Sequence, residues 1–203
     1  MSFLGSTFVF SQADECASAS QLTNVSNFCS GNAFYTNVNS TASVFPQATC
    51  ITGVASEDVW FSFTAIGTDI LISASGIGAG GTMNRPRIAI YSGNCATTIN
   101  QLGCANGVAG IGVTQLYQSA LMPGTVYYIR ISTLTNNEGT FELCVNNYTP
   151  ISNPGADCNG ASYLCSNNPV SVGILSGGGL NTDEPEASSC MEVPGDDEGN
   201  SSW

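Results

Sequence analysis

The chain has 203 residues, 42% of them hydrophobic and only 9% charged, with three Arg, no Lys and no His against fifteen acidic residues. A net charge of −12 without a basic patch leaves nothing to neutralise phosphates, which argues against a nucleic-acid partner. The lack of His and Lys removes the usual general bases and Schiff-base nucleophiles.

In chain order, residues 1–12 (MSFLGSTFVFSQ) are apolar and uncharged, with Val9 and Ser11 at the spacing a signal peptidase favours. They read as a signal-peptide remnant or as an extra strand, since STFVFSQ would extend a sheet. No apolar run reaches transmembrane length, so a membrane span is not expected. Residues 13–148 follow as short runs rich in β-branched and aromatic residues: NAFYTNV, DVWFSFTA, DILISAS, PRIAIYSG, VTQLYQSAL, VYYIRIST and GTFELCVN. Gly, Asn, Pro and Ser clusters separate them. In DVWFSF, Val59, Phe61 and Phe63 share one face and Trp60 takes the other. In TVYYIRIS, Tyr127, Ile129 and Ile131 form the apolar, inward set, while Val126, Tyr128 and Arg130 face the opposite way. Seven or eight short strands at this spacing predict an all-β fold, an antiparallel β-sandwich of jelly-roll type. MPGT (122–125) reads as a turn and NNEGT (136–140) as the hairpin turn before the last strand. The Asn- and Pro-rich stretch 146–157 holds the domain boundary, with the linker at 149–156.

Beyond the linker the pattern restarts. Cys16, Cys29, Cys50 and Trp60 are matched in order by Cys158, Cys165, Cys190 and Trp203, at offsets of 142, 136, 140 and 143 residues. Residues 157–203 therefore read as a truncated second repeat. It carries eight acids and no base, against seven acids and three Arg in residues 1–150. So small a piece buries too little apolar surface to offset the entropy of ordering it. We expect it to be poorly ordered or held by another element.

Nine cysteines, without paired CxxC motifs or His, predict disulfides formed in an oxidising compartment rather than a zinc site. Six lie in the first module. Cys95 and Cys104 flank the short stretch CATTINQLGC, which reads as a loop, so a local bridge between them is expected.

Candidates for chemistry are few. Glu57-Asp58 reads as loop charges ahead of a strand, because adjacent strand residues point to opposite faces and make a poor acid/base pair. GIGAGG (76–81) is a flexible inter-strand loop, since no Lys-Ser/Thr or helix pattern follows it. Asp183 and Glu184, in TDEPE, and Asp196 and Asp197, in GDDEGN, are the calcium candidates, against a plain reading as solvated loop acids; no other cofactor is expected. Trp60 and Tyr127 read as core residues rather than a glycan platform, with Phe61 structural as well.

The ordered series DEC, DVWFSF, IAIYSGNC, LGCANG, LMPGTVYYIRIS and GTFELCV resembles the Cys-framed repeat module of large secreted Bacteroidota surface proteins. These include gliding-motility adhesins and other cargo of the type IX secretion system, and the pattern is similar to pre-peptidase C-terminal-like and CUB-like sandwiches. The resemblance covers residues 14–146 and resumes at 157. It implies a non-catalytic extracellular spacer or adhesive unit at the cell surface. Its implied partners are neighbouring repeats of the same chain, other cell-surface or secretion-machinery proteins, or glycans. Related modules also imply Cys16 paired with Cys50 and Cys29 with Cys144. The alternatives are an accessory or carbohydrate-binding module of a secreted hydrolase, and an enzyme in its own right.

Overall fold

The computed structural model describes residues 13–52, 57–108 and 110–150. The chain divides into two compact units, Met1–Tyr148 and Thr149–Trp203, and nearly all described residues belong to the first. The expected leader at 1–12, residues 151–156 of the linker, the second repeat with Trp203, and the calcium candidates Asp183, Glu184, Asp196 and Asp197 lie outside the described residues.

Apart from one 3-10 turn at Cys16–Ser18, the described structure is all β: β1 Ser20–Gln21, β2 Phe28–Cys29, β3 Tyr35–Thr36, β4 Asp58–Thr64, β5 Asp69–Ser75, β6 Arg87–Asn94, β7 Thr98–Ala105, β8 Val113–Gln118, β9 Val126–Ser132 and β10 Thr140–Tyr148. They form two packed sheets, a β-sandwich. Sheet one has the order β1-β4-β9-β6-β7 and sheet two the order β2-β10-β5-β8, with β3 also on β10. All pairings are antiparallel except β1 with β4.

The period-two alternation of the long strands builds the interior. Val59, Phe61, Phe63, Ile88, Ile90, Tyr127, Ile129 and Ile131 of sheet one pack against Ile70, Ile72, Ala74, Leu116, Phe141, Leu143 and Val145 of sheet two. Phe61 meets Tyr35 edge to face, with ring centroids 4.7 Å apart. The opposite face of sheet one is buried as well. Trp60, Ala89 and Tyr91 form a second apolar cluster with Ala13, Cys16 and Ala48, backed by Phe45 and Ile51. Trp60 and Phe61 are thus both enclosed, in separate cores.

Two buried Asn side chains fix the connections. Asn147 Oδ1 accepts from the backbone N–H groups of Ile66 (2.6 Å) and Gly67 (3.1 Å), and its Nδ2 donates to the carbonyls of Gly67 and Asp69. Asn37 Nδ2 donates to Glu57 O, and its Oδ1 accepts from Gly139 N. Each closes a loop whose peptide groups would otherwise be buried without partners.

The structure corrects five local readings. The stretch between Cys95 and Cys104 is a turn followed by β7, which pairs with β6 along its length. Cys95 sits before β7 and Cys104 near its far end, so extended backbone, at roughly 3.3 Å per residue, carries them too far apart to bridge. Residues 136–140 are no hairpin, because β9 and β10 lie in different sheets and the chain crosses between them there. Residues 76–81 are tied down: the N–H groups of Ala79, Gly80 and Gly81 all donate to Gly76 O, and Ile77 N donates to Met83 O. Gly81 is required in that turn, since a Cβ would lie 2.1 Å from Thr140 O. Residues 146–148, the start of the Asn- and Pro-rich stretch 146–157, continue β10 instead of forming part of the boundary, and Tyr148 is buried. Finally, Asp58 is the first residue of β4 and fully enclosed, not a loop charge.

Three disulfides join Cys16 to Cys95, Cys29 to Cys144 and Cys50 to Cys104. Of the expected pairs, Cys29–Cys144 is present, with the two residues directly opposite each other in the β2–β10 ladder. Cys16–Cys50 and Cys95–Cys104 are replaced by Cys16–Cys95 and Cys50–Cys104. Both observed bridges fasten segments of the chain's first fifty residues onto the β6–β7 hairpin.

Candidate functional site

The outer face of sheet one concentrates the polar chemistry of the described residues. Ladder register sets Asp58 opposite Ser132, and Ser132 opposite Arg87. The next outward row holds Trp60, Arg130 and Ala89, and the one after it Ser62, Tyr128 and Tyr91. Over this face lie residues 13–19 and 37–52. Thr41 donates to Asp14 through N (2.5 Å) and Oγ1 (2.7 Å), Arg130 Nη1 donates to Pro46 O (3.1 Å), and Thr49 N donates to Gln101 Oε1 (2.9 Å).

Under that cover, Asp58 and Arg130 form an ion pair, with Nη2 to Oδ2 at 2.5 Å and Nε to the same oxygen at 3.0 Å. Ser43 N also donates to Oδ2 (3.1 Å), and Trp60 Nε1 donates to Oδ1 (2.8 Å). Arg130 Cζ lies 5.5 Å from the centre of the Trp60 ring, in a cation-π contact. Tyr91 packs on the same indole, with centroids 5.4 Å apart. Burial pushes the Asp58 carboxyl above its usual range, and Arg130, Ser43 and Trp60 pull it back only in part. Burial likewise raises the Tyr91 phenol, against an opposing pull from Arg130. A carboxylate with its lone pairs occupied and no path to solvent has no free face for a substrate. The cluster braces sheet one to its cover.

Arg87 is the second buried cation, 1% exposed. Its Nη2 donates to Thr52 O at 2.6 Å, while Nε and Nη1 have no acceptor among the described residues. Burial and the neighbouring Arg85 both lower its pKa. At the other end of the same face a cleft of ≈ 250 Å³ opens beside the Cys16–Cys95 bridge, lined by Ala19, Ser62, Asn94 and Tyr128. On sheet two, Asp69 accepts from the Tyr117 hydroxyl and from Thr68 Oγ1 (2.6 Å). That bond is the main reason the Tyr117 phenol is raised.

Of the residues singled out from sequence, Trp60 is structural and Phe61 is core. Glu57 and Asp58 are not an acid/base pair: Asp58 instead pairs with Arg130. Among the described residues no group of three or more His, Cys, Asp or Glu stands close enough to hold a metal ion, and no helix is long and apolar enough to cross a membrane. Sequence reasoning placed Arg130 opposite the apolar face of its own strand without finding its partner, and it passed over Asn37, Asn147 and Arg87. A signal for Arg130 was present: it is the sole charge in a strand, VYYIRIS, whose other residues up to the closing Ser132 are apolar or aromatic. No protein-family model matches the chain, and no curated protein matches it.

Proposed function

We propose that residues 13–148 form a non-catalytic structural or adhesive module of an extracellular bacterial surface protein, the reading implied by its resemblance to secreted Bacteroidota repeats. The single observation that supports it best is the use of Asp58, Arg130 and Trp60. The one close carboxylate-guanidinium pair among the described residues is sealed beneath the chain's own cover and spent on holding that cover. Three disulfides support an oxidising compartment. Antibodies against the module should label intact source cells as strongly as lysed ones. Labelling only after lysis would refute the reading.

A carbohydrate-binding role is the second reading, favoured by the cleft at Tyr128. The Tyr128 and Ser62 side chains both line this cleft, so a sugar there would meet two hydroxyls beside the aromatic surface of Tyr128. Glycan-array binding by the chain, abolished in Tyr128→Ala, would establish it; no binding at all would leave the structural role alone.

A further inference from the structure

We propose that the module is a tension-bearing element whose load path bypasses its own sandwich. This rests on the reading above, in which the module is one unit of a longer chain pulled from both sides.

The inference follows from where the disulfides lie. Cys29 is in β2, the first strand of sheet two along the chain, and Cys144 is in the middle of β10, the last strand of the unit. Their Cα atoms are 4.1 Å apart, and the bond encloses a sequence separation of 115 residues. Tension entering near Ala13 and leaving beyond Tyr148 can therefore pass from Cys29 directly to Cys144. Only residues 13–29 and 144–148 carry it. Residues 30–143, which include β4 to β9 and both cores' largest side chains, hang from that path as a closed loop outside the shortest covalent route.

The bridge from Cys16 to Cys95 adds a second constraint. It anchors the leading segment to the β6–β7 hairpin, inside the closed loop, so Cys16 cannot be drawn away from Cys29 without dragging the hairpin with it. Cys50–Cys104 lies wholly within the loop and shortens no route between Cys16 and Cys144. The three bonds thus have separable mechanical roles. Cys29–Cys144 sets the limit of extension, Cys16–Cys95 secures the loaded segment, and Cys50–Cys104 only holds the cover.

Pulling the full chain, with Cys158, Cys165 and Cys190 replaced by Ser, by handles at its two termini tests this, because whatever residues 1–12 and 149–203 then contribute is common to every state compared. The oxidised chain should release no length from residues 30–143. A dithiol reductant should add the separation of 115 residues, a gain of about 400 Å at ~3.5 Å per residue. In Cys29→Ser/Cys144→Ser the shortest route becomes Cys16 to Cys95 and then the chain to Cys144. The gain there should be about 125 Å. Cys50→Ser/Cys104→Ser should extend no further than the oxidised parent. Extended length depends only on covalent connectivity, so these values hold for any variant whose remaining bridges are shown by peptide mapping to be the native ones. A release of about 400 Å from the oxidised parent, or none on reduction, would overturn the proposal. Cell labelling tests location separately, so a module that resists extension but is absent from the surface would refute only the assigned role.

Discussion

Asp58 stands diagonally across the β4–β9 ladder from Arg130: each faces the other's neighbour, Ser132 or Trp60, and the two side chains meet over the gap. Trp60 completes the triangle by donating to Asp58 while lying under the guanidinium. Breaking such a buried pair leaves one charge uncompensated, whereas removing both charges does not. Asp58→Ala should therefore cost about 3–5 kcal/mol of unfolding free energy, and Asp58→Ala/Arg130→Met should be less destabilised than the sum of its single variants. Urea unfolding followed by circular dichroism gives the comparison. Additive effects would contradict the coupling.

Phe61 is fully buried in the main core, and Val126, on a neighbouring strand, is 44% exposed. Phe61→Ala should lose about 3–5 kcal/mol, and Val126→Ala should stay within about 0.5 kcal/mol of the parent. Tyr148→Ala should fall clearly on the destabilised side, because Tyr148 closes β10 and is buried. Thermal melts of the three variants decide this, and a silent Tyr148→Ala would show that the residue is not part of the packed strand.

The disulfides are checked by peptide mapping without reduction. Peptides holding Cys16 with Cys95, Cys29 with Cys144, and Cys50 with Cys104 are expected. Loss of Cys29–Cys144, which closes the longest loop of the three, should destabilise by about 2–5 kcal/mol.

Alkali should unfold the protein through its tyrosines. Burial raises Tyr35, Tyr91 and Tyr148 above the ordinary phenol value of 10.0. An acid raised in the folded state adds stability that is fully present below its unfolded value and is lost as pH rises from there through the folded value. Melting temperature should hence be flat across the neutral range from this source and decline above pH 10.0. Phenolate absorbance should rise together with unfolding. Tyrosines that ionised fully before any loss of structure would show that these rings are not enclosed.

Much of the sandwich is legible in the chain because its long strands obey a period of two. Val59, Phe61 and Phe63 against Trp60, and Tyr127, Ile129 and Ile131 against Arg130, divide between faces as alternation requires. The failures have physical causes. In β7 the polar positions of an edge strand blur the alternation, and a register shift between Ile90 and Tyr91 breaks the pairing with β6. Cys29 and Cys144 are neighbours in one ladder, while Cys16 and Cys50 lie in cover segments that meet the β6–β7 hairpin, and none of these adjacencies leaves a mark in spacing. The role of Asp58 depended on Arg130, 72 residues away, so neither residue announced the other locally.

The outer rims of β4 and β10 have one more consequence. On β4, Asp58 N donates to Thr41 O, Trp60 N to Ala13 O, and Ser62 O accepts from Leu22 N. On β10, Val25, β2, Ser30 and β3 take up the corresponding groups. Modules joined by short flexible connections meet one another at effective concentrations on the order of millimolar, however dilute the protein is. An open row of peptide groups would then invite neighbours to fuse into a continuous sheet. With the rims of β4 and β10 already occupied by short pieces of the chain itself, copies so joined would have only the opposite edges, β7 and β8, left among the described strands for such pairing.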